Sequence, residues 1–305
     1  MICPTCGKDD SIKRGTWSFF KDSKEPRYEC KSCGRVWNSF SKNPKLLYFD
    51  IETTHMEFKA WRPGQQYLAA RNIKRDWIVL AWAAKWVCTS SMFSMVLRPK
   101  EVKHWDDGRL VRGLWDLFNQ ADIIIGHNAD QFDIKKMNWR FMVHNLKPPK
   151  PYKSVDTLKI ARRVTGASSK SLDYMMKELG LGNGKIKMHD EDWDACEAGD
   201  PEALRKMRVY NEKDVLDGES LYLFLRSWDK SHPNLGLYYE TTQARCKNCG
   251  STQLEFDESV TVKTPANSYY CWTCVNCGAN GRTPESARYS TDKEENKEKR
   301  LALMR

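Results

Sequence analysis

Long apolar runs are absent from this chain. Nothing in its 305 residues approaches the roughly 18–20 consecutive apolar residues of a membrane span, so no membrane segment is expected. A signal-peptide pattern is missing too: the stretch Met1-Ile2-Cys3-Pro4-Thr5-Cys6 does not carry one, and a soluble, cytoplasmic (intracellular) protein is expected. Isolated cysteines are few. Most of the eleven fall in Cys-x-x-Cys pairs, which argues for metal in a reducing compartment rather than for disulfides. Cys88 and Cys196 stand alone and read as ordinary thiols. Histidine is scarce, at six, and adds little.

What is present is basic charge. The formal net charge is +10. A zinc ion held by four thiolates carries a net of minus two, so two such sites bring the balance to about +6. That still suits a polyanionic partner, although solvated lysine gives the same number. The length fits one medium domain plus small modules. Residues 1–43 read as a small cysteine-bearing module, 44–235 as the main domain, 240–285 as a second cysteine module, and 286–305 as a charged tail.

The main domain opens with a strand at Leu46-Leu47-Tyr48-Phe49. Trp77–Val87 and Met92–Leu97 are further strands, rich in branched and aromatic residues. Arg109–Asn119 has helical periodicity, Asp122–Gly126 is a short buried strand, and Asp133–Asn145 is a helix. Ser171–Leu179 is a short helix that Gly180 ends. Asp200-Pro201 starts a long helix to about Trp228, with Asp as cap and Pro at the first helical position. Strands followed by alternating helix and strand predict an α/β layered domain.

Four carboxylates carry the chemistry: Asp50 and Glu52, Asp133, and Asp214. Asp50 and Glu52 are two apart on a strand and share a face. Tyr210 and Asp214 are four apart on a helix and also share a face. Asp133 opens a helix after a strand and loop. Carboxylates gathered together repel unless a cation sits between them. Two divalent ions about 3.5–4 Å apart are what phosphoryl-transfer nucleases use to clamp the attacking and leaving oxygens. Asp217, three residues beyond Asp214, competes for the same role.

The segments Asp50-Ile51-Glu52-Thr53, Asn128-x3-Phe132-Asp133 and Tyr210-x3-Asp214 resemble the three motifs of the DEDD-type 3′–5′ exonuclease superfamily. That superfamily includes proofreading domains of DNA polymerases. The tyrosine (DEDDy) branch, as in family-B proofreading domains, is the nearer one: the histidine branch needs His five residues before Asp214, where Val209 stands. Ser154–Leu158 followed by Ser171-Leu172-Asp173 resembles the stretch between the second and third motifs, with Asp156 either structural, the favoured reading, or an acid that supports the ligands from behind. The resemblance implies an RNase H-like mixed sheet with flanking helices over roughly residues 44–230. It implies two Mg²⁺ or Mn²⁺, with Asp50 bridging both, Glu52 and Asp214 completing one site, and Asp133 holding the other. Tyr210 would hydrogen-bond the attacking water. Thr53, Thr54 and Asn128 would meet substrate. His127 reads as structural, and His55 is a weak candidate for substrate contact.

Cys3-x2-Cys6 and Cys30-x2-Cys33 are separated by 23 residues, and Gly7 and Gly34 follow the pairs. This spacing resembles a zinc ribbon, with disulfides as the alternative. The second module has Cys246-x2-Cys249-Gly250 and then three cysteines, 271, 274 and 277. Choosing Cys274 and Cys277 reproduces the trailing glycine and leaves 24 residues between pairs; choosing Cys271 and Cys274 leaves 21 and no glycine. The first choice gives two structural Zn²⁺ in all. The basic and aromatic residues around the first module suit phosphate contact with base stacking, and equally a small core beside zinc. A replication or repair protein is open as a ribbon partner.

The expected activity is a metal-dependent 3′–5′ exonuclease on nucleic acid, DNA favoured over RNA. No polymerase signature is visible, and an accessory trimming, repair or replication role is expected. A structure-selective endonuclease on the same fold and a non-catalytic nucleic-acid-binding scaffold are the alternatives.

Overall fold

The computed structural model describes residues 8–17, 25–32, 36–38 and 44–286, apart from 63, 65, 66, 68, 183–185, 240–242 and 266. Its first sheet is antiparallel: β1 (Ser11–Trp17), β2 (Glu25–Cys30) and β3 (Val36–Asn38). Cys30 ends β2 and is buried. Cys3, Cys6 and Cys33, the rest of the first expected zinc site, lie outside the described residues, as does the tail from 287 onward.

The central sheet has five strands. They are drawn from β4 (Leu46–Thr53), a small hairpin of β5 (Glu57–Phe58) and β6 (Ile73–Arg75), β7 (Val79–Trp86), β8 (Met92–Val96), β9 (Ile123–Gly126) and β10 (Lys153–Asp156). The hairpin pairs only with itself. The spatial order is β8-β7-β4-β9-β10, with β7 antiparallel to both its neighbours and the other pairings parallel. The helices are α1 (Pro99–His104), α2 (Gly108–Phe118), α3 (Asp133–Val143), α4 (Thr157–Val164), α5 (Leu172–Glu178), α6 (Asp190–Glu197) and α7 (Pro201–Leu225).

The expected elements form close to their expected bounds. Asp200 caps α7 through its carboxylate, which accepts from Ala203 N at 2.7 Å, and Pro201 opens the helix. The strand at Leu46 extends four residues further than Phe49, so Asp50 and Glu52 are both within it. The helices α1, α4 and α6, the strand β10 and the β5–β6 hairpin have no counterpart in the sequence analysis, because short segments hold too few repeats of a pattern to detect.

Both faces of the sheet are covered, which is why β7 and β9 are buried along nearly their whole length. The alternation along β4 sorts its side chains. Leu47, Phe49 and Ile51 enter one apolar layer with Trp82, Leu114, Phe118 and Phe141. Tyr48 enters the opposite layer with Ile125, Val155, Val215 and Tyr222. Asp50 and Glu52, at the even positions, therefore project from the Tyr48 face.

The last sheet is antiparallel: β11 (Leu254–Lys263), β12 (Ser268–Cys274) and β13 (Asn280–Ser286). The cysteine turn that precedes it is joined to the segment following α7 by specific bonds. Asn248 Nδ2 donates to the carbonyls of Arg226 (2.5 Å) and Asp229 (2.8 Å), and Leu235 N donates to Lys247 O at 2.7 Å.

Candidate metal centre

The helix α7 runs over β4 in the opposite sense. Four residues of helix advance about 6.0 Å and two residues of strand about 6.6 Å, so positions 218, 214 and 210 track 48, 50 and 52. Gly218 makes this approach available: a Cβ there would lie 2.0 Å from the Tyr48 hydroxyl oxygen. Further along α7, Asn211 Nδ2 donates to Asp50 Oδ2 at 2.7 Å. Carboxylate oxygens of Asp50, Glu52 and Asp214 lie within 4.8 Å of one another, all three residues half-buried.

Asp133 is buried at the first turn of α3, where its Oδ1 accepts from Ile51 N at 3.3 Å. Its carboxyl is pushed up to about 7, chiefly by burial, with Asp156 adding repulsion. Asp50 is driven well above the carboxylate range by burial first, then by Asp133, Glu52 and Asp214. The four acids thus destabilise one another's charged forms, and divalent cations are what would relieve that. An all-oxygen donor set fits Mg²⁺ or Mn²⁺.

Tyr210 is buried beside them, edge-on to Trp193 with ring centres 6.2 Å apart. Its phenol is pushed well above its ordinary range by burial, then by Asp214 and Glu52, and it is hydrogen-bonded to Asp214. Such a phenol donates and does not act as a base at neutral pH.

The loop into Asp133 is clamped by Asp156. Its carboxylate accepts from the backbone of Asn128 (2.9 Å) and Asp130 (3.3 Å), and caps α4 through Leu158 and Lys159. Asn128 takes a positive φ of 66° in that turn, a conformation Asn tolerates better than most residues. His127 is held between Thr157 Oγ1 and Lys170 O, both at 2.9 Å. Thr53 and Thr54 part company. Thr53 Oγ1 meets Lys136 Nζ at 3.0 Å at the edge of the acid cluster. Thr54 is buried, and its hydroxyl is occupied by the backbone of Ile78. Asp217 is bound by Lys213 one turn away, which removes it from competition with Asp214. His55 contacts Glu197 through both its backbone N–H and its ring.

Two residues at the centre went unnoticed in the sequence. Asn211 is three residues before Asp214 on the same helix face, and Lys136 three after Asp133. The Lys136 ammonium lies over the rings of Trp77 (4.1 Å) and Phe132 (4.5 Å). Burial lowers its pKa, while Asp133, Asp76 and Glu52 raise it. Helical spacing from the motif acids is the signal that points to both.

A second centre is built from sulfur. Cys246, Cys249, Cys274 and Cys277 place their Sγ atoms within 4.8 Å of one another. Cys246–Cys277 and Cys249–Cys274 are each 3.6 Å apart, far beyond the roughly 2.05 Å of a disulfide and near the ~3.8 Å edge of a zinc tetrathiolate with 2.3 Å bonds. The two knuckles match: Gly250 and Gly278 both have φ of 74°, and each donates its N–H at 2.8 Å to the carbonyl of the first cysteine of its pair. Only glycine takes that conformation without strain. Cys271 is outside the cluster, its thiol 3.9 Å from the carbonyl of Trp272. These four residues could hold zinc.

Asp106, Asp107 and His144 also gather, but Arg140 fills that space. Its guanidinium grips Asp107 at 2.6 and 2.8 Å, and Val79 N adds a third bond at 2.8 Å, so the buried charge is already paired. No described helix is long and apolar enough to cross a membrane.

No protein-family model matches the chain, and no curated protein matches it. Among solved structures, the chain is similar to the family B DNA polymerase of the hyperthermophilic archaeon Pyrobaculum calidifontis. The TM-score is 0.42 and the identity 16%, over 71% of this chain and 29% of the polymerase.

Proposed function

We propose that this chain is a metal-dependent 3′–5′ exonuclease of the DEDDy type on an RNase H-like fold, hydrolysing nucleic acid with DNA favoured over RNA. The observation that carries the reading is the convergence of Asp50, Glu52 and Asp214 from a strand and a helix, with Asp133 buried beside them. A five-stranded sheet in which only the second strand, β7, is reversed supports the fold assignment. The zinc ribbons are residues 1–43 and 240–285 around a catalytic domain of 44–235.

Asp50, Glu52 and Asp214 would hold one divalent ion, and Asp133 with Asp50 the other. Such a pair of ions would supply charge stabilisation to the attacking and leaving oxygens of the phosphodiester. The rest falls to the protein. Asn211 fixes the rotamer of Asp50. Tyr210, held by Asp214 and Trp193, accepts a hydrogen bond from the attacking water and aims it, while remaining protonated itself. Lys136 offers a positive charge on the Thr53 side, where the phosphate anion must approach four acids.

The test is a time course on 3′- and 5′-labelled strands, single and double, with Mg²⁺ or Mn²⁺. A 3′ label should leave as mononucleotide, and a blocked 3′ end should protect where a blocked 5′ end does not. Cutting of a circular single strand would instead support the endonuclease alternative.

A further inference from the structure

Two aromatic side chains of this protein are wholly in water. Trp61 is 100% exposed and Tyr67 105%. Tryptophan is among the side chains with most to gain from burial, so a fully exposed one is informative where an exposed leucine is not. Both are on the hairpin that leaves the metal-centre strand directly: β4 ends at Thr53 and β5 begins at Glu57.

The hairpin has a built stem. Glu57 pairs with Arg75 and Phe58 with Ile73 across the strands. Beyond them, Lys59 N donates to Asn72 O at 2.8 Å, and Asn72 Nδ2 donates back to Lys59 O at 3.3 Å. Its root is tied down at both sides. His55 is held by Glu197, and Arg75 lies over the Trp105 ring at 3.8 Å. The two rings are thus carried on an anchored arm.

Its charge is one-sided. Residues 54–75 contain Lys59, Arg62, Arg71, Lys74 and Arg75 against a single acid, Glu57. Lys74 and Arg75 both pair with that acid, which neutralises it. Basic residues interleaved with aromatic faces match a polyanion that also presents flat apolar rings. Single-stranded nucleic acid is that ligand, since its bases are free to stack and its phosphates to pair. A duplex hides its base faces, and an acidic peptide offers charge without rings.

We propose that the β5–β6 hairpin is a stacking arm that holds single-stranded nucleic acid beside the metal centre, with Trp61 and Tyr67 receiving bases. The direction in which the strand is led, toward the acids, rests on the exonuclease reading; the stacking itself does not. Trp61 follows Thr53, the last residue of β4, by eight residues, so its Cα is within about 29 Å of the site strand even at full extension.

The experiment uses the full chain, a labelled thymidine dodecamer, and a matched dodecamer with abasic linkages. Binding is read by fluorescence anisotropy in Ca²⁺, and cleavage in Mg²⁺. Trp61→Ala and Tyr67→Ala should each weaken binding to the normal strand by about tenfold. Each should raise KM for cleavage with kcat nearly unchanged, and both variants should bind the abasic strand as the unaltered chain does. Both rings are solvent-exposed, so the variants should melt at the temperature of the unaltered chain. Affinity and KM within twofold of the unaltered chain would overturn the proposal. So would a loss that is equal on the abasic strand, or a ring-dependent self-association in sedimentation with strand binding intact. If the unaltered chain binds in a ring-dependent way yet never cleaves, the arm stands and the exonuclease reading falls. If it cleaves and the ring variants do not differ, the reverse holds.

Discussion

Gly218→Ala should disable the metal centre without touching an acid. In an ordinary helix this change stabilises by about 1 kcal/mol, because alanine loses less backbone freedom. Here the new methyl would sit 2.0, 2.3 and 2.6 Å from Oη, Cζ and Cε1 of Tyr48. Tyr48 is 1% exposed and packed in the layer with Ile125, Val155 and Tyr222, so the ring has nowhere to swing. Overpacking of this kind costs about 1–3 kcal/mol, which outweighs the helix gain. The lasting effect is geometric. To clear the ring, α7 must move away from β4, taking Tyr210, Asn211 and Asp214 with it. A displacement near 1 Å at a reacting centre costs roughly 10²-fold in rate. The expected result is a lower melting temperature and about 10²-fold lower kcat/KM. Tyr48→Leu in the Gly218→Ala background should recover part of both. The double-mutant cycle should give a favourable coupling. If Gly218→Ala melts at or above the parent temperature and cuts at the parent rate, the register of α7 on β4 is not what aligns these groups.

Asp50→Ala should abolish cleavage while leaving the melting transition in place, since the change removes repulsion from the folded acid cluster; near-normal cutting by a folded variant would refute the metal assignment. Tyr210→Phe should slow cleavage by roughly 10²-fold with metal affinity nearly unchanged, because it removes an orienting hydroxyl and no ligand; collapse of metal affinity in a titration would make the tyrosine structural. Zinc analysis of the purified chain should show that Cys271→Ser keeps the C-terminal ion and Cys277→Ser loses it, and the opposite pattern would show that the wrong sulfurs were chosen. His232 is buried with Nε2 at 2.9 Å from the Tyr222 hydroxyl and Nδ1 at 2.8 Å from Pro233 O, and burial lowers its pKa to about 4. Its folded pKa is below the unfolded 6.5, so its stabilisation is complete above about pH 6.5 and is lost as pH falls toward 4, by roughly 3 kcal/mol. Denaturant melts across that window should show the slope, and His232→Gln should flatten it; an unchanged slope would remove the histidine as its cause.

Much of the site was legible before any fold. Asp50 and Glu52 share a face because a strand repeats every two residues, and Tyr210 and Asp214 because a helix nearly repeats every four. Those periodicities are local, so residue spacing alone revealed them. The Cys-x-x-Cys-Gly knuckles were legible for the same reason: the turn needs glycine at a positive φ, and Gly250 and Gly278 supply it. What spacing could not show was which segments meet. The approach of α7 to β4 depends on Gly218 against Tyr48, residues 170 apart in the chain, and nothing local to either records it. The same holds for Lys136 reaching Thr53, and for Asn211 reaching Asp50. Thr54 shows the converse. Its place beside Thr53 suggested substrate contact, but the register of β4 on β7 shifts between Glu52 and Thr53, which breaks the alternation and leaves Thr54 turned inward to Ile78. Local repeat geometry decided which side chains travel together, and long-range packing decided what they face.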